Sequence, residues 1–242
     1  MGDAFIKRLV RLAEKRTWGS KNLNARACEA VESLLNAGVQ SYIDLRELIS
    51  SPKADINTRV AACWVIGQLK YKRANGLLIE ALNTDASMAL AWEAAKSLGA
   101  LGNKQSVAPL IEIMLDVTAS DRRIAAAYAL GLLADKRAVR HLVDVMGNQN
   151  EWHLLRAEAA ESLGYIGNKK ALPVLLGGLD DLSPEVRFWA AFALGHIGAS
   201  EAIPKLEEIA VKDKSKLQGW GTVGAEASEA IKMIKQATRR MR

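Results

Sequence analysis

One structural unit recurs along this chain every 31 to 33 residues, and each copy holds a pair of small residues, then leucine or isoleucine, then glycine. Five copies are clear, and their glycines are Gly67, Gly99, Gly131, Gly164 and Gly195. A sixth, degenerate copy begins at Ala27 and has Leu35 in the glycine position. So regular a period indicates an array of short repeats, each of which buries its apolar face only against its neighbours.

Each repeat contains a second apolar segment, in which apolar residues recur at intervals of three and four, and this spacing predicts an α-helix. The segments begin at Val107, Ala138, Ala171 and Ala202. Prolines fall near the start of this helix, where a missing N–H costs little; they are Pro109, Pro173 and Pro204. No segment alternates with a period of two, so we expect no β-sheet. The predicted fold is all-α: an α-solenoid, or superhelix, of about seven stacked antiparallel helix pairs.

The small pairs and the glycines have a packing reason. Small side chains, such as Ala94 and Ala95, let helices of adjacent repeats approach closely, while the leucine that follows fills the layer between repeats. The glycine is expected to relieve crowding and to help end the helix. We predict one solenoid domain over residues 1–242, with capping pairs at 1–38 and 201–242 around regular repeats at 39–200.

Composition narrows the class of protein. No stretch approaches the roughly 20 apolar residues of a membrane span, and the charged N-terminus argues against a signal peptide. Cys28 and Cys63 are the only cysteines, which suggests a reducing cytoplasm rather than a disulfide framework. The net charge of +6 lies at the ends: +5 in residues 1–26 (seven minus two), +3 in residues 201–242 (nine minus six), and −2 elsewhere (17 minus 19). These basic ends are either solvated caps or contacts for an acidic partner or nucleic acid.

Residues 186–198 read VRFWAAFALGHIG, and this string resembles the short HEAT-like repeats named after phycobilisome lyases. The resemblance covers roughly residues 25–240. It implies a helical solenoid whose second helices line a concave side. The resemblance raises two activities: the handling of a bilin chromophore, as in phycobilin lyase subunits, and the hydroxylation carried out by deoxyhypusine hydroxylase, which has a similar fold and binds two irons through His-Glu pairs.

The inventory of reactive side chains argues against catalysis. The three histidines are His141, His153 and His196, and glutamate follows none of them. A two-iron site cannot be assembled from that set, so we reject deoxyhypusine hydroxylase activity and expect no cofactor or metal. His196 is interpreted as a polar residue near the end of its helix, and Cys63, in a small-residue position, as part of the core.

Gly219 to Gly224 read GWGTVG, which fits the G-x-G-x-x-G dinucleotide fingerprint. A working fingerprint follows a strand and opens a helix within a βαβ unit, whereas here a lysine-rich linker precedes it and no second strand can follow. We therefore predict a long turn within the last helix pair, with Trp220 folded back over the end of the solenoid.

The variable positions of the second helices form the predicted binding face. They lie three residues before each repeat glycine and one helical turn earlier. The candidate partner-binding residues on the concave face are Trp64, Trp92, Tyr128, Phe188, Trp189, Phe192, Glu93 and Glu161. Such aromatics either pack between repeats or act as exposed anchors of an interface.

Three functions remain open from the sequence. The first is a non-catalytic scaffold that binds a protein or peptide, preferably a basic or mixed one, in its groove. The second, implied by the resemblance, is a phycobilin lyase-like subunit or chromophore chaperone holding a tetrapyrrole. The third is a DNA-binding solenoid, which the repeated arginines favour and the groove glutamates oppose. These arginines are Arg59, Arg123, Arg156 and Arg187; for them we prefer pairing with nearby acids, the candidates being Asp55, Asp121, Glu151 and Glu185.

Overall fold

The computed structural model describes residues 42–84, 87–119 and 121–240. Its residues separate into two compact units, and the division falls between Ser106 and Val107. The predicted N-terminal capping pair and Cys28 lie outside the described residues. The proposed subdivision of the solenoid into caps and regular repeats therefore stays a prediction.

Over its described residues, unit 1 contains two helix pairs. Its helices are α1 (Tyr42–Ser50), α2 (Ile56–Leu69), α3 (Asn75–Thr84) and α4 (Met88–Leu101). Helix α1 packs on α2, α3 packs on α4, and the second helices α2 and α4 pack against each other. Short 3-10 turns at Lys72–Ala74 and Lys104–Ser106 follow the two second helices.

Unit 2 contains four helix pairs. Its helices are α5 (Val107–Leu115), α6 (Arg122–Leu133), α7 (Val139–Gly147), α8 (His153–Ile166), α9 (Leu172–Gly178), α10 (Pro184–Ile197), α11 (Ile203–Lys212) and α12 (Val223–Arg240). Each first helix packs on the second helix of its pair, and α6, α8, α10 and α12 lie side by side in one layer. The prediction of an all-α fold built from repeated helix pairs is confirmed.

The repeat glycines mark the places where neighbouring second helices touch. A Cβ at Gly67 would lie 2.9 Å from the Cα of Ser97, and one at Gly131 would lie 2.9 Å from the Cα of Ser162. Gly164 meets Ala193 in the same way. The two serines also bond across the contact, because Ser97 Oγ donates to the Cys63 carbonyl and Ser162 Oγ to the Ala127 carbonyl, each at 2.8 Å.

The expectation that these glycines also end the helices is wrong by one turn. In each case the helix ends three residues later, at a residue in the left-handed conformation whose N–H bonds back to the last turn. These end residues are Lys70, Gly102, Ala134, Gly167 and Gly198. The repeat glycine is thus required for interhelical space, while the following αL residue supplies the stop.

A small hairpin departs from the predicted absence of β-structure. Strands β1 (Lys216–Leu217) and β2 (Gly221–Thr222) pair antiparallel between α11 and α12. Gly219 and Gly221 have φ of +83° and +109°, which glycine adopts without a steric penalty. Strands of two residues are too short to produce an alternating pattern, and this explains why periodicity did not reveal them.

The GWGTVG string consequently spans this hairpin and the first turn of α12. Gly224 lies against the end of α11, where a Cβ would be 2.7 Å from the carbonyl oxygen of Asp213. The glycines therefore serve a tight turn and a close backbone contact, as the sequence analysis expected of a loop. Trp220, however, does not cover the end of the helix stack as predicted: it lies against Trp189 and stays 63% exposed.

The glycine contact yields a stability prediction. We expect Gly131→Ala to lower the free energy of unfolding by about 2–3 kcal/mol, because the new methyl group overlaps Ser162 and forces α6 and α8 apart. Chemical denaturation followed by circular dichroism measures this change.

The matched control is Gly177→Ala in α9, where a Cβ meets nothing within 4 Å. That change should raise stability by up to about 1 kcal/mol through helix propensity. Equal effects of the two substitutions would contradict the close-approach explanation.

Candidate functional site

The structure distributes the eight predicted partner-binding residues over both units. Trp64, Trp92 and Glu93 belong to unit 1, and the other five belong to unit 2: Tyr128, Glu161, Phe188, Trp189 and Phe192. Of the aromatic residues, Trp64, Phe188 and Trp189 are buried, whereas Trp92, Tyr128 and Phe192 are partly exposed. The partner-binding role of these residues stays a prediction.

In unit 1, Trp64 lies in the middle of α2, and Trp92 and Glu93 lie in the first half of α4. Trp64 is only 7% exposed, so its ring acts first as part of the packing between helices. Glu93 forms an i,i+3 ion pair with Lys96 at 3.9 Å. Cys63 is buried as predicted, and burial, with a smaller contribution from Glu93, raises the pKa of its thiol.

In unit 2, aromatic rings from α8, α10 and the hairpin form a continuous row of ring contacts, which we call the aromatic face (Tyr165, Phe192, Trp189 and Trp220). The ring of Phe192 lies 5.6 Å from Tyr165 and 5.2 Å from Trp189, and Trp220 lies 5.0 Å from Trp189. All three contacts are edge-on, the arrangement that aromatic pairs prefer. Tyr165 is 41% exposed and Trp220 is 63% exposed, so the aromatic face is open to solvent at both of its ends.

His196 extends the aromatic face along α10. Its ring lies 3.9 Å from that of Phe192, and its Nδ1 lies 3.0 Å from the Phe192 carbonyl oxygen. The residue is in the last turn of the helix, as the sequence analysis predicted. It therefore packs by its ring and bonds to backbone rather than facing other potential metal ligands.

Two carboxyl groups lie beside this surface on α8. Glu161 accepts a hydrogen bond from the Tyr165 hydroxyl at 2.9 Å, and Glu158 lies one helical turn earlier. Burial, followed by the neighbouring Glu161, raises the pKa of Glu158 well above its usual value. Burial likewise raises the pKa of Glu161, although its bond from Tyr165 opposes the rise. The pKa of Tyr165 is raised by burial and by the Glu161 carboxylate.

Sequence reasoning missed Tyr165 and the contact of Trp220 with Trp189. Tyr165 follows the repeat glycine directly and stands four residues after Glu161, so helical spacing alone places both on one face. His196 occupies the corresponding position in the next repeat. The Trp220 contact had no such signal, because it depends on how the hairpin folds back.

The repeated arginines have structural partners, and the predicted acids are mostly the wrong ones. Each arginine bonds to the end of the preceding helix, to the loop before its own helix, or to an acid of the next repeat. The carboxylate partners are Glu151 for Arg123, Asp181 for Arg156 and Asp213 for Arg187, while Arg59 donates to the Ile49 carbonyl. Of the predicted acids, Glu151 serves a different arginine, Asp55 instead caps α2, and Glu185 accepts from Ser183.

The Arg156–Asp181 pair is the most buried of these, because both side chains are under one-tenth exposed. We expect Arg156→Ala to lower the free energy of unfolding by about 3–5 kcal/mol, since it leaves a buried carboxylate uncompensated. Thermal and urea unfolding measure the loss. The control is Arg140→Ala, whose side chain is 88% exposed; losses of similar size would contradict a structural role for the arginine series.

The Glu158–Glu161 pair predicts an unusual pH dependence. A carboxyl whose pKa is raised by folding binds more protons in the folded state, so stability falls as the pH rises from the unfolded pKa, about 4.3, towards the folded one. We therefore expect Glu158→Gln to match the wild type only at or below about pH 4, and its stability advantage to grow to about 2 kcal/mol by pH 8. Urea unfolding across that range tests this.

Other carboxylates act in a different window. Arg156 and Arg187 lower the pKa values of Asp181 and Asp213 against the opposing effect of burial. The stability that these two aspartates contribute is therefore lost only as the pH falls through those low pKa values.

The control for Glu158→Gln is Glu201→Gln, which changes an exposed carboxyl group. Parallel stability curves for Glu158→Gln and the wild type would contradict burial of the pair.

Within the described ranges, no group of three or more histidine, cysteine, aspartate or glutamate side chains could hold a metal ion. Among the same residues, none of the helices combines the length and hydrophobicity that crossing a bilayer requires.

Comparison with solved structures gives similar folds at low sequence identity. The complex of CpcE and CpcF of phycocyanin lyase from Nostoc sp. PCC7120 is 23% identical, with a TM-score of 0.55 over 66% of this chain and 99% of that one. The Escherichia coli protein YibA is 16% identical, with a TM-score of 0.52 over 97% and 82%. Human deoxyhypusine hydroxylase is 17% identical, with a TM-score of 0.43 over 97% and 88%. No curated protein matches by sequence.

Family models give a direct assignment. Residues 44–131 and 139–220 match the model of HEAT repeats, and residues 122–148 match the PBS lyase HEAT-like repeat. These matches cover most of the chain and include the glycine contacts described above. The chain belongs to the HEAT repeat family, and its fold is an all-α repeat solenoid.

Proposed function

We propose that this protein is a non-catalytic scaffold that binds a partner protein or peptide on the aromatic face of unit 2. The observation that supports this most is the continuous row of ring contacts: rings from two helices and a hairpin join edge to edge, and the two end residues remain substantially exposed. Exposed aromatic rings contribute disproportionately to binding energy in protein interfaces.

Packing alone does not account for the aromatic face. Trp189 has a structural role, because it is buried under Trp220. Tyr165 and Trp220 bury only part of their rings, so each leaves apolar surface that a partner would cover. Carboxyl groups beside the rings would give such an interface a preference for basic or mixed sequences.

Nucleic acid is a poorer occupant of the same surface. The carboxyls of α8 would repel phosphates, and Arg123, Arg156 and Arg187 are engaged by acids of the protein itself. The scaffold role also agrees with the HEAT repeat family assignment. We further infer a cytoplasmic location, because the spacing of the two cysteines in the sequence does not suggest a disulfide framework and the thiol of Cys63 is buried.

A lyase-like subunit is the second candidate. Its support is the PBS lyase HEAT-like repeat match and the likeness to the phycocyanin lyase complex, in which CpcE and CpcF occur together. The aromatic face could hold the flat rings of a tetrapyrrole. An unchanged absorption spectrum after mixing the protein with phycocyanobilin would remove this candidate.

The scaffold proposal is tested with Tyr165→Ala/Phe192→Ala. Both side chains are partly exposed, so the helical circular dichroism should be retained. We expect partners captured by the wild type from a lysate of the source organism to be lost by this variant. For a recombinant partner, the affinity should fall about 30-fold or more, as for interface hot spots.

The matched control is Trp152→Ala, which removes an aromatic ring that is also about two-fifths exposed but lies at the start of α8, outside the aromatic face. Quantitative mass spectrometry of the three captures compares them directly. If wild type and both variants retain the same proteins, the aromatic face is not the binding surface.

A further inference from the structure

Glu158 carries a buried carboxyl oxygen whose bonding capacity is unused. Glu158 is only 8% exposed, and its Oε1 has no hydrogen-bond partner among the described residues. Burying such a group without a partner costs free energy that a folded chain ordinarily avoids. The contrast with the rest of unit 2 is direct, because Asp181, also buried, receives two nitrogen donors from Arg156.

The position of this carboxyl relates it to the surface. Glu158, Glu161 and Tyr165 stand at spacings of three and four residues on α8, so their side chains follow one face of the helix. The row begins at a buried carboxyl, passes the carboxyl that accepts from Tyr165, and ends at a phenol ring that is 41% exposed. Along the helix, Glu161 therefore stands between Tyr165 and Glu158.

No positive charge of the described residues compensates the two acids. Neither glutamate has a lysine or arginine among its ion-pair or hydrogen-bond partners there, and the groups that influence their ionisation are each other and Tyr165. The rings of Tyr165 and Phe192 add two aromatic surfaces 5.6 Å apart beside the acids. Carboxylates flanked by aromatic rings attract cations both by charge and by the ring quadrupoles.

We propose that Glu158 and Glu161, with Tyr165 and Phe192, form a socket for a cationic side chain of the bound partner. This inference rests on the proposed scaffold function and specifies the chemistry of its partner: a basic peptide segment whose arginine or lysine enters beside Tyr165. We choose a cationic occupant because its charge is complementary to the two glutamates. The incoming group supplies the donors that the Glu158 oxygen lacks, and its apolar stem lies along the rings.

Arginine fits this arrangement better than lysine. A planar guanidinium presents several fixed donors to two carboxylates and stacks on aromatic rings, whereas an ammonium is a compact and more strongly hydrated charge. The experiment therefore includes both cations, so that the source of the charge is identified.

The test measures binding of four blocked octapeptides that alternate alanine with arginine, lysine, citrulline or norleucine, at one low ionic strength. Citrulline keeps the shape of arginine without its charge. We expect the wild type to bind the arginine peptide about tenfold or more tightly than Glu158→Gln/Glu161→Gln does. The citrulline and norleucine peptides should bind both proteins equally weakly, and the lysine peptide should lie between.

The control variant is Glu201→Gln/Glu207→Gln, which removes two exposed acids of unit 2 and so changes the net charge by the same amount. If the two double variants lose the same affinity for the arginine peptide, net charge alone explains the loss and the socket proposal is wrong. Gln is close in shape to a protonated carboxyl, so retained helical circular dichroism is expected, and the acid and control variants are compared at equal helicity.

Failure of the socket is distinguishable from failure of the scaffold proposal. If the recombinant partner loses affinity with Tyr165→Ala/Phe192→Ala but not with Glu158→Gln/Glu161→Gln, the aromatic face binds and the socket is wrong. If neither variant affects the partner, the binding surface lies elsewhere and both proposals fail.

Discussion

The close approach of successive second helices at the repeat glycine is the contact on which the rest of the structure depends. Where Gly131 meets Ser162 and Gly164 meets Ala193, backbone lies against backbone, with no space for a Cβ. This contact sets the distance between helices and so lets the leucines of each layer fill the space beneath. The arginine–carboxylate pairs of unit 2 reinforce the same spacing, because each joins two consecutive repeats.

That contact also decides which side chains reach the surface. When small residues occupy the interhelical positions, some of the variable positions that precede and follow each glycine are left to face solvent. In unit 2 they are occupied by Tyr165 and Phe192, so two repeats contribute adjacent rings. A repeat protein can therefore change its binding surface without disturbing the glycine contacts that hold its helices together.

The sequence was sufficient for the period, the helix pairs and the all-α class, because these follow from local spacing. It was insufficient wherever a partner lies a full repeat away: Arg156 pairs with Asp181 of the next repeat rather than with nearby Glu151. Burial of Trp64 is likewise a property of two helices, and periodicity along one helix does not report it. The hairpin that places Trp220 on Trp189 has strands too short to leave any pattern.

The acid pair on α8 (Glu158 and Glu161) lowers the stability of the free protein and, in the proposed role, favours the binding of a cationic partner. Where a buried carboxyl serves the fold alone, as Asp181 does, the chain provides an arginine and the pKa of the acid falls. For Glu158 the chain provides none, and burial raises its pKa instead. A buried acid without a counter-charge destabilises the free protein as the pH rises, and a cation arriving from outside removes that penalty only when it is bound. The free energy regained when a cation relieves this penalty adds to the affinity for charged partners and not to the affinity for neutral ones, so it discriminates between them.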